Sequence, residues 1–197
     1  MPDLIIKPTA TSGNKLILQD QAGGAVLTTA DSGATIANAT LTTPTIASMA
    51  NCTFPTGVII NVTTDIYTSE PATNNTSFAV IDSTNFSVTV TPKSTASKFF
   101  IIVFLSGVDA GDWAQFDIYR SISGGATTQN ISSQTYGLAG VYSALLNDSP
   151  VTYFWLDSPS TTASITYAPS AKSTSSSHNW NINDSGNSSR ITVFEIA

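Results

Sequence analysis

"NFSVTVTPKSTASKFFIIVFLS", residues 85–106, holds two strand signals and the turn between them. Phe86, Val88 and Val90 alternate with Ser and Thr at period two, the pattern of a strand with one buried face. Thr91-Pro92 breaks that pattern, because proline cannot donate to a β-ladder. Phe99 to Leu105 then runs apolar for seven residues. That is far short of the roughly 20 that span a bilayer as a helix.

The same texture extends over the chain from Val58 onward. VIINVTTDIYT, SFAVI, WAQFDIYR, TYGLAGVYSALL, VTYFWLD, TTASITYAP, HNWNIN and RITVFEI are further apolar or alternating runs. Turn clusters divide them, among them Glu70-Pro71, Asp82-Ser83, Gly107 to Gly111, Gly124-Gly125, Asp148-Ser149-Pro150, Asp157-Ser158-Pro159 and Asp184-Ser185-Gly186. About eight to ten strands at this spacing predict a β-sandwich over 58–197. No window sustains a helical period. Ser and Thr fill 56 of 197 positions, and only 10% of residues are charged against the roughly 25% usual in soluble domains. Yet 41% are hydrophobic, which is not the profile of a disordered chain. The fold class expected is all-β.

The first 57 residues read differently. Residues 1–14 carry one small apolar cluster, Leu4-Ile5-Ile6, between prolines, as an anchoring tail would. KLILQDQAGGAVLTT, residues 15–29, predicts a hairpin around Gly23-Gly24. From Gly33 to Gly57 runs a nearly uncharged ribbon with Ile36, Leu41 and Ile46 five residues apart, and Met49, Cys52 and Phe54 beyond them. Ordering the chain from Lys15 to Phe54 costs more conformational entropy than its eleven sizeable apolar side chains return, because a lone ribbon cannot enclose them. Three copies around one axis would let Ile36, Leu41, Ile46 and Phe54 face each other. Residues 15–57 are therefore expected to form an intertwined β-shaft that makes the protein a homotrimer, with a boundary near Phe54 to Gly57.

Charge and chemistry narrow the function classes. A net charge of −6 with seven scattered Lys and Arg argues against nucleic acid, which needs a basic stripe, and against an anionic membrane surface. Cys52 is alone and cannot form an internal disulfide, and no basic-then-apolar leader precedes Gly13, so folding in a reducing cytoplasm is expected. One histidine, His178, cannot build an imidazole metal cluster, and Gly-x-Ser-x-Gly is missing. Asp109, Asp112 and Asp117 do not follow the calcium-loop spacing and read as turn formers. No enzyme activity, cofactor or metal is expected. Arg120 and Arg190 are expected to pair with Glu195 at strand ends or between subunits, and Trp155 to fill the sandwich core or the trimer seam. Trp113, Asp112, Tyr136, Tyr142, His178 and Trp180 are the candidate ligand contacts, since Trp and Tyr beside Asn and Asp can stack on sugar rings while the polar groups bond hydroxyls.

"GNKLILQDQAGGAVLTTADSGATIANATLTTPTI", residues 13–46, resembles the opening of bacteriophage tail-fibre and other virion structural proteins, especially marine ones. "QFDIYRSISGG" (115–125), "LDSPSTTASITYA" (156–168) and "RITVFEI" (190–196) resemble their terminal domains. The resemblance implies a homotrimer with a C-terminal jelly-roll head similar to the C1q and tumour-necrosis-factor fold. It implies a virion-surface protein made in the bacterial cytoplasm. Its partners would be other virion proteins through the N-terminus and a glycan or protein of the host surface through the head. Only about 14 residues precede the first hairpin, which keeps a capsid decoration protein as the alternative.

Overall fold

The computed structural model describes residues 17–19, 22, 25–30, 33–36, 55–142 and 148–197. The chain divides into two units, Met1–Cys52 and Thr53–Ala197. Among the described residues no helix is long and apolar enough to cross a membrane.

In the first unit, β1 (Ile17–Gln19), β2 (Ala25–Ala30) and β3 (Gly33–Ile36) form an antiparallel sheet in that order. Ile17 lies opposite Thr28, and Leu27 opposite Ile36. β1 and β2 are the two strands of the hairpin expected over 15–29, and β3 opens the ribbon. Ile36 ends β3, whereas Leu41, Ile46 and Phe54, like the 1–14 tail, lie outside the described residues.

The second unit is all-β and antiparallel. Its strands are β4 (Ile59–Tyr67), β5 (Ala72–Thr73), β6 (Ala79–Val80), β7 (Val88–Val90), β8 (Lys98–Ala110) and β9 (Trp113–Ile122). β10 (Thr127–Thr128), β11 (Ala139–Tyr142), β12 (Ser149–Asp157), β13 (Ile165–Ser173), β14 (Trp180–Asn181) and β15 (Ser189–Ile196) complete it. One sheet runs β10-β9-β13-β6, with β11 also on β9 and β7 also on β13. The other runs β4-β15-β8-β14-β5, with β12 on the far side of β8. Each of the ten runs read from the sequence carries a strand. β5 and β10, two residues each, were not foreseen.

The two sheets share one apolar core, as a sandwich does. β8 sends in Phe99, Ile101, Val103 and Leu105, β9 sends Phe116 and Ile118, and β13 sends Ile165 and Tyr167. Phe86 stacks on Tyr67 with centroids 4.7 Å apart. Trp155 is half-buried and packs on the edge of this core. One turn expected at Gly107 to Gly111 is instead strand as far as Ala110, because β8 continues through a bend at Gly107. Gly107 has φ +54, and a Cβ there would sit 2.8 Å from the Asp184 nitrogen, so only glycine fits.

Outward-facing residues of β8 are apolar too. Phe100 lies in register between Leu156 of β12 and Phe194 of β15, and Phe194 opposes Val62 of β4. The Phe100 ring is 5.8 Å from Phe154 and 6.3 Å from Phe194. Phe154 is 63% exposed, and Leu156, Val62, Ile66 and Phe104 are exposed beside it. This face, unlike the outer face of an ordinary antiparallel sheet, is not polar.

The buried carboxylates Asp157 and Glu195 each accept hydrogen bonds, and Asp157 also meets a cation. The expected pairing of Arg120 and Arg190 with Glu195 is corrected: Arg120 Nη1 donates to both oxygens of Asp157, at 2.8 and 3.0 Å. Glu195 instead accepts from the Lys93 backbone at 2.7 Å and the Ser97 hydroxyl at 2.8 Å. Tyr167 donates its hydroxyl to Asp157 at 2.7 Å, and burial with the carboxylate beside it pushes the phenol far above its ordinary range. Replacing one partner strands the other in low dielectric. Asp157→Ala should therefore lower the unfolding free energy in urea by about 3 kcal/mol, and Tyr167→Phe by about 1 kcal/mol.

Candidate binding face

The turn between β8 and β9 carries Asp112 and delivers the chain from one sheet to the other. Gly111 donates to the Asn179 carbonyl at 2.9 Å, and a Cβ on it would press on His178 at 3.3 Å. The 174–179 segment is thereby laid on the turn. Thr174 donates its hydroxyl to Asp112 Oδ2 at 3.0 Å, and its N–H to the Trp113 carbonyl at 3.1 Å. His178 Nδ1 lies 3.9 Å from the same carboxylate oxygen. The hydroxyl thus engages the carboxylate, not the imidazole, so nucleophilic activation of a triad type is not assembled here.

Trp113 begins β9 and is 39% exposed. Its ring stacks on that of Tyr136, itself 62% exposed, with centroids 5.5 Å apart and planes within 7°. The indole covers Gly140, where a Cβ would come within 2.5 Å of Nε1. Tyr142, 61% exposed, lies opposite Trp113 in the β9–β11 register, so the two stand on one side of the sheet. The exposed Tyr136 ring, backed by the indole, suits the C–H face of a sugar, with Asp112, Thr174 and His178 nearby as hydrogen-bonding groups.

The segment bearing Tyr136 is tied down along β9. Ile131 donates to the Ile118 carbonyl and Leu138 to the Phe116 carbonyl, both at 2.8 Å. Gly137 has φ +73, and a Cβ there would collide with the Phe116 carbonyl oxygen. Beneath the segment lies Asp117, fully buried, which accepts from the N–H groups of Ile118 and Ser132 and from the Ser132 hydroxyl. Asp109, Asp112 and Asp117 are spread over β8, the turn and β9. Among the described residues no three His, Cys, Asp or Glu side chains are placed to hold a metal.

Of the six candidates, Asp112, Trp113, Tyr136, Tyr142 and His178 form one continuous set. Trp180 does not join them. It is 2% exposed, edge-on to Phe116 at 5.8 Å and 76°, and serves the core. Thr174 and Gly140 were missed, since neither residue type at its position signals a role without the fold.

Burial raises the Asp117 carboxyl above the ordinary carboxylate range, and the hydrogen bonds from Ser132 and Ile118 only partly oppose it. The folded chain therefore holds this proton more tightly than the unfolded one. The associated stability is complete below the unfolded value and is lost as pH rises through the folded value. Asn can keep the same contacts, its amide donating to the Ser132 oxygen. Asp117→Asn should raise the urea midpoint at pH 7, with the gain shrinking toward pH 4. No protein-family model matches the chain, and neither does any curated protein.

Proposed function

We propose that the chain is a structural protein of a bacteriophage virion: a homotrimeric fibre or spike whose C-terminal head, a jelly-roll of the C1q and tumour-necrosis-factor kind, contacts the host surface. The observation that carries this reading is the apolar outer face of the β4-β15-β8-β12 sheet. With about half of each exposed side chain accessible, Phe154, Leu156, Val62, Ile66 and Phe104, together with the partly covered Phe100, Ile102 and Phe194, offer on the order of 500 Å². That matches the largest apolar patch of a typical monomer, a size at which such patches are often functional, and is more than half of the roughly 800 Å² one partner gives a standard interface. Sister copies meeting through this face would bury it while leaving the Trp113–Tyr136 stack, on the opposite sheet, in water. The resemblance of residues 13–46 and of the three C-terminal stretches to virion fibres supports the same assignment.

Gold-labelled antibody against residues 55–197, viewed by electron microscopy on the parent particle, should mark the tips of fibres or spikes. Uniform marking of the capsid would give the decoration role instead. The purified chain carrying both Trp113→Ala and Tyr136→Ala should adsorb to host cells about tenfold more weakly than wild type, as loss of aromatic anchors predicts. Undiminished adsorption would remove the stack from receptor contact.

A further inference from the structure

Beside the Trp113–Tyr136 stack lies a second feature, a cleft of about 390 Å³ formed by residues 76–78, 129–130, 133–135 and Lys172. Its size suits a small ligand. We propose that it is a subsite for an anionic sugar, a carboxylate-bearing unit of an acidic polysaccharide, with Lys172 as the residue that reads the charge. This rests on the glycan-contact reading of the head and adds the ligand class.

Lys172 is the only charged residue of the cleft, in a chain with 13 acidic and seven basic residues. Its ammonium is held by neutral groups. It donates to the Thr135 carbonyl at 2.6 Å and sits 4.8 Å from the centroid of the Phe78 ring. Among the described residues no carboxylate forms a salt bridge with it. An ammonium has three donors; one is committed to Thr135, and no carboxylate among the described residues balances the charge. A carboxylate is the complement. Around it, Ser77, Asn130, Ser133 and Gln134 supply hydroxyls and amides for the ring hydroxyls of a sugar. Ser133 holds φ +56, a left-handed conformation that a serine adopts at a cost, as happens in ligand clamps.

The sheet floor next to Lys172 has unspent polar capacity as well. Gln115, opposite Lys172 in the β9–β13 register, is 1% exposed, and neither of its amide atoms has a partner. The Ser170 hydroxyl, two residues along on the same face, is buried without one too. Thr135 immediately precedes Tyr136, so cleft and stack adjoin along the chain. A glycan laid across them would place a ring on Trp113–Tyr136 and a neighbouring acidic unit at Lys172.

The test uses the full-length protein and two probes with one skeleton: galacturonic-acid oligosaccharides, and the same oligosaccharides with every carboxyl methyl-esterified. Isothermal titration should show the acid bound about tenfold tighter than the ester, with the preference falling as salt rises. Lys172→Gln should bind both forms alike. Lys172→Arg should restore the preference, which a merely structural tie to Thr135 would not require. Trp113→Ala should weaken acid and ester equally. Equal affinity of the wild type for the two forms, no binding of the acid form, or a preference that survives in Lys172→Gln would each overturn the subsite. None of these outcomes touches fibre labelling or cell adsorption, which test the underlying reading separately.

Discussion

β8 is apolar on both sides, and the rest of the architecture answers to that constraint. Phe99, Ile101, Val103 and Leu105 point into the sandwich, where β9 and β13 close over them. Phe100, Ile102 and Phe104 point the other way, flanked by Phe154 and Leu156 on one neighbour and Phe194 on the other. Side chains alternate across a strand, so one sandwich can bury only one of these sets. Strands buried on both faces read as continuous hydrophobic runs, and FFIIVFL is such a run. The second set is left on the outer face, and in the trimer proposed above a sister chain would cover it without new sequence.

The two sheets divide the work. The β4-β15-β8-β12 face is dominated by Phe, Leu, Ile and Val, with Thr64, Thr152, Thr192 and Arg190 among them. On the other sheet, β9, β11 and β13 carry Trp113, Tyr142, Gln115, Asp117, Ser170 and Lys172 outward, beneath and beside the 129–138 segment. Here polar groups and exposed rings dominate, the kind of surface the proposed glycan contact would use. Asp117 illustrates the cost: a carboxylate kept in a dry place to hold the segment that presents Tyr136.

Much of the fold was legible because strand formation here is local. Phe86, Val88 and Val90 alternate and are buried, and every run read from the sequence beyond Val58 contains a strand. What escaped was set by distant partners. β5 is recognisable only by its pairing with β14, and β10 only by its pairing with β9. Gly107 resembles a turn residue, yet it bends a strand held on by Ser149 of β12. Trp180 stands among His, Asn and Asn, a polar neighbourhood that hides its place against Phe116. The partner of Arg120 lies 37 residues away, where no local window reaches. Lys172 lies beyond the run TTASITYAP read from the sequence; the β13 register sets it opposite Gln115, and it lines the cleft.

Sedimentation equilibrium of the purified full-length chain at micromolar concentration tests the central claim most directly. If the outward apolar face and the N-terminal ribbon are shared among sister copies, the mass will be three times the 20.6 kDa of one chain, and it will persist on dilution. A stable species of 20.6 kDa, resistant to protease along its whole length, would contradict the account.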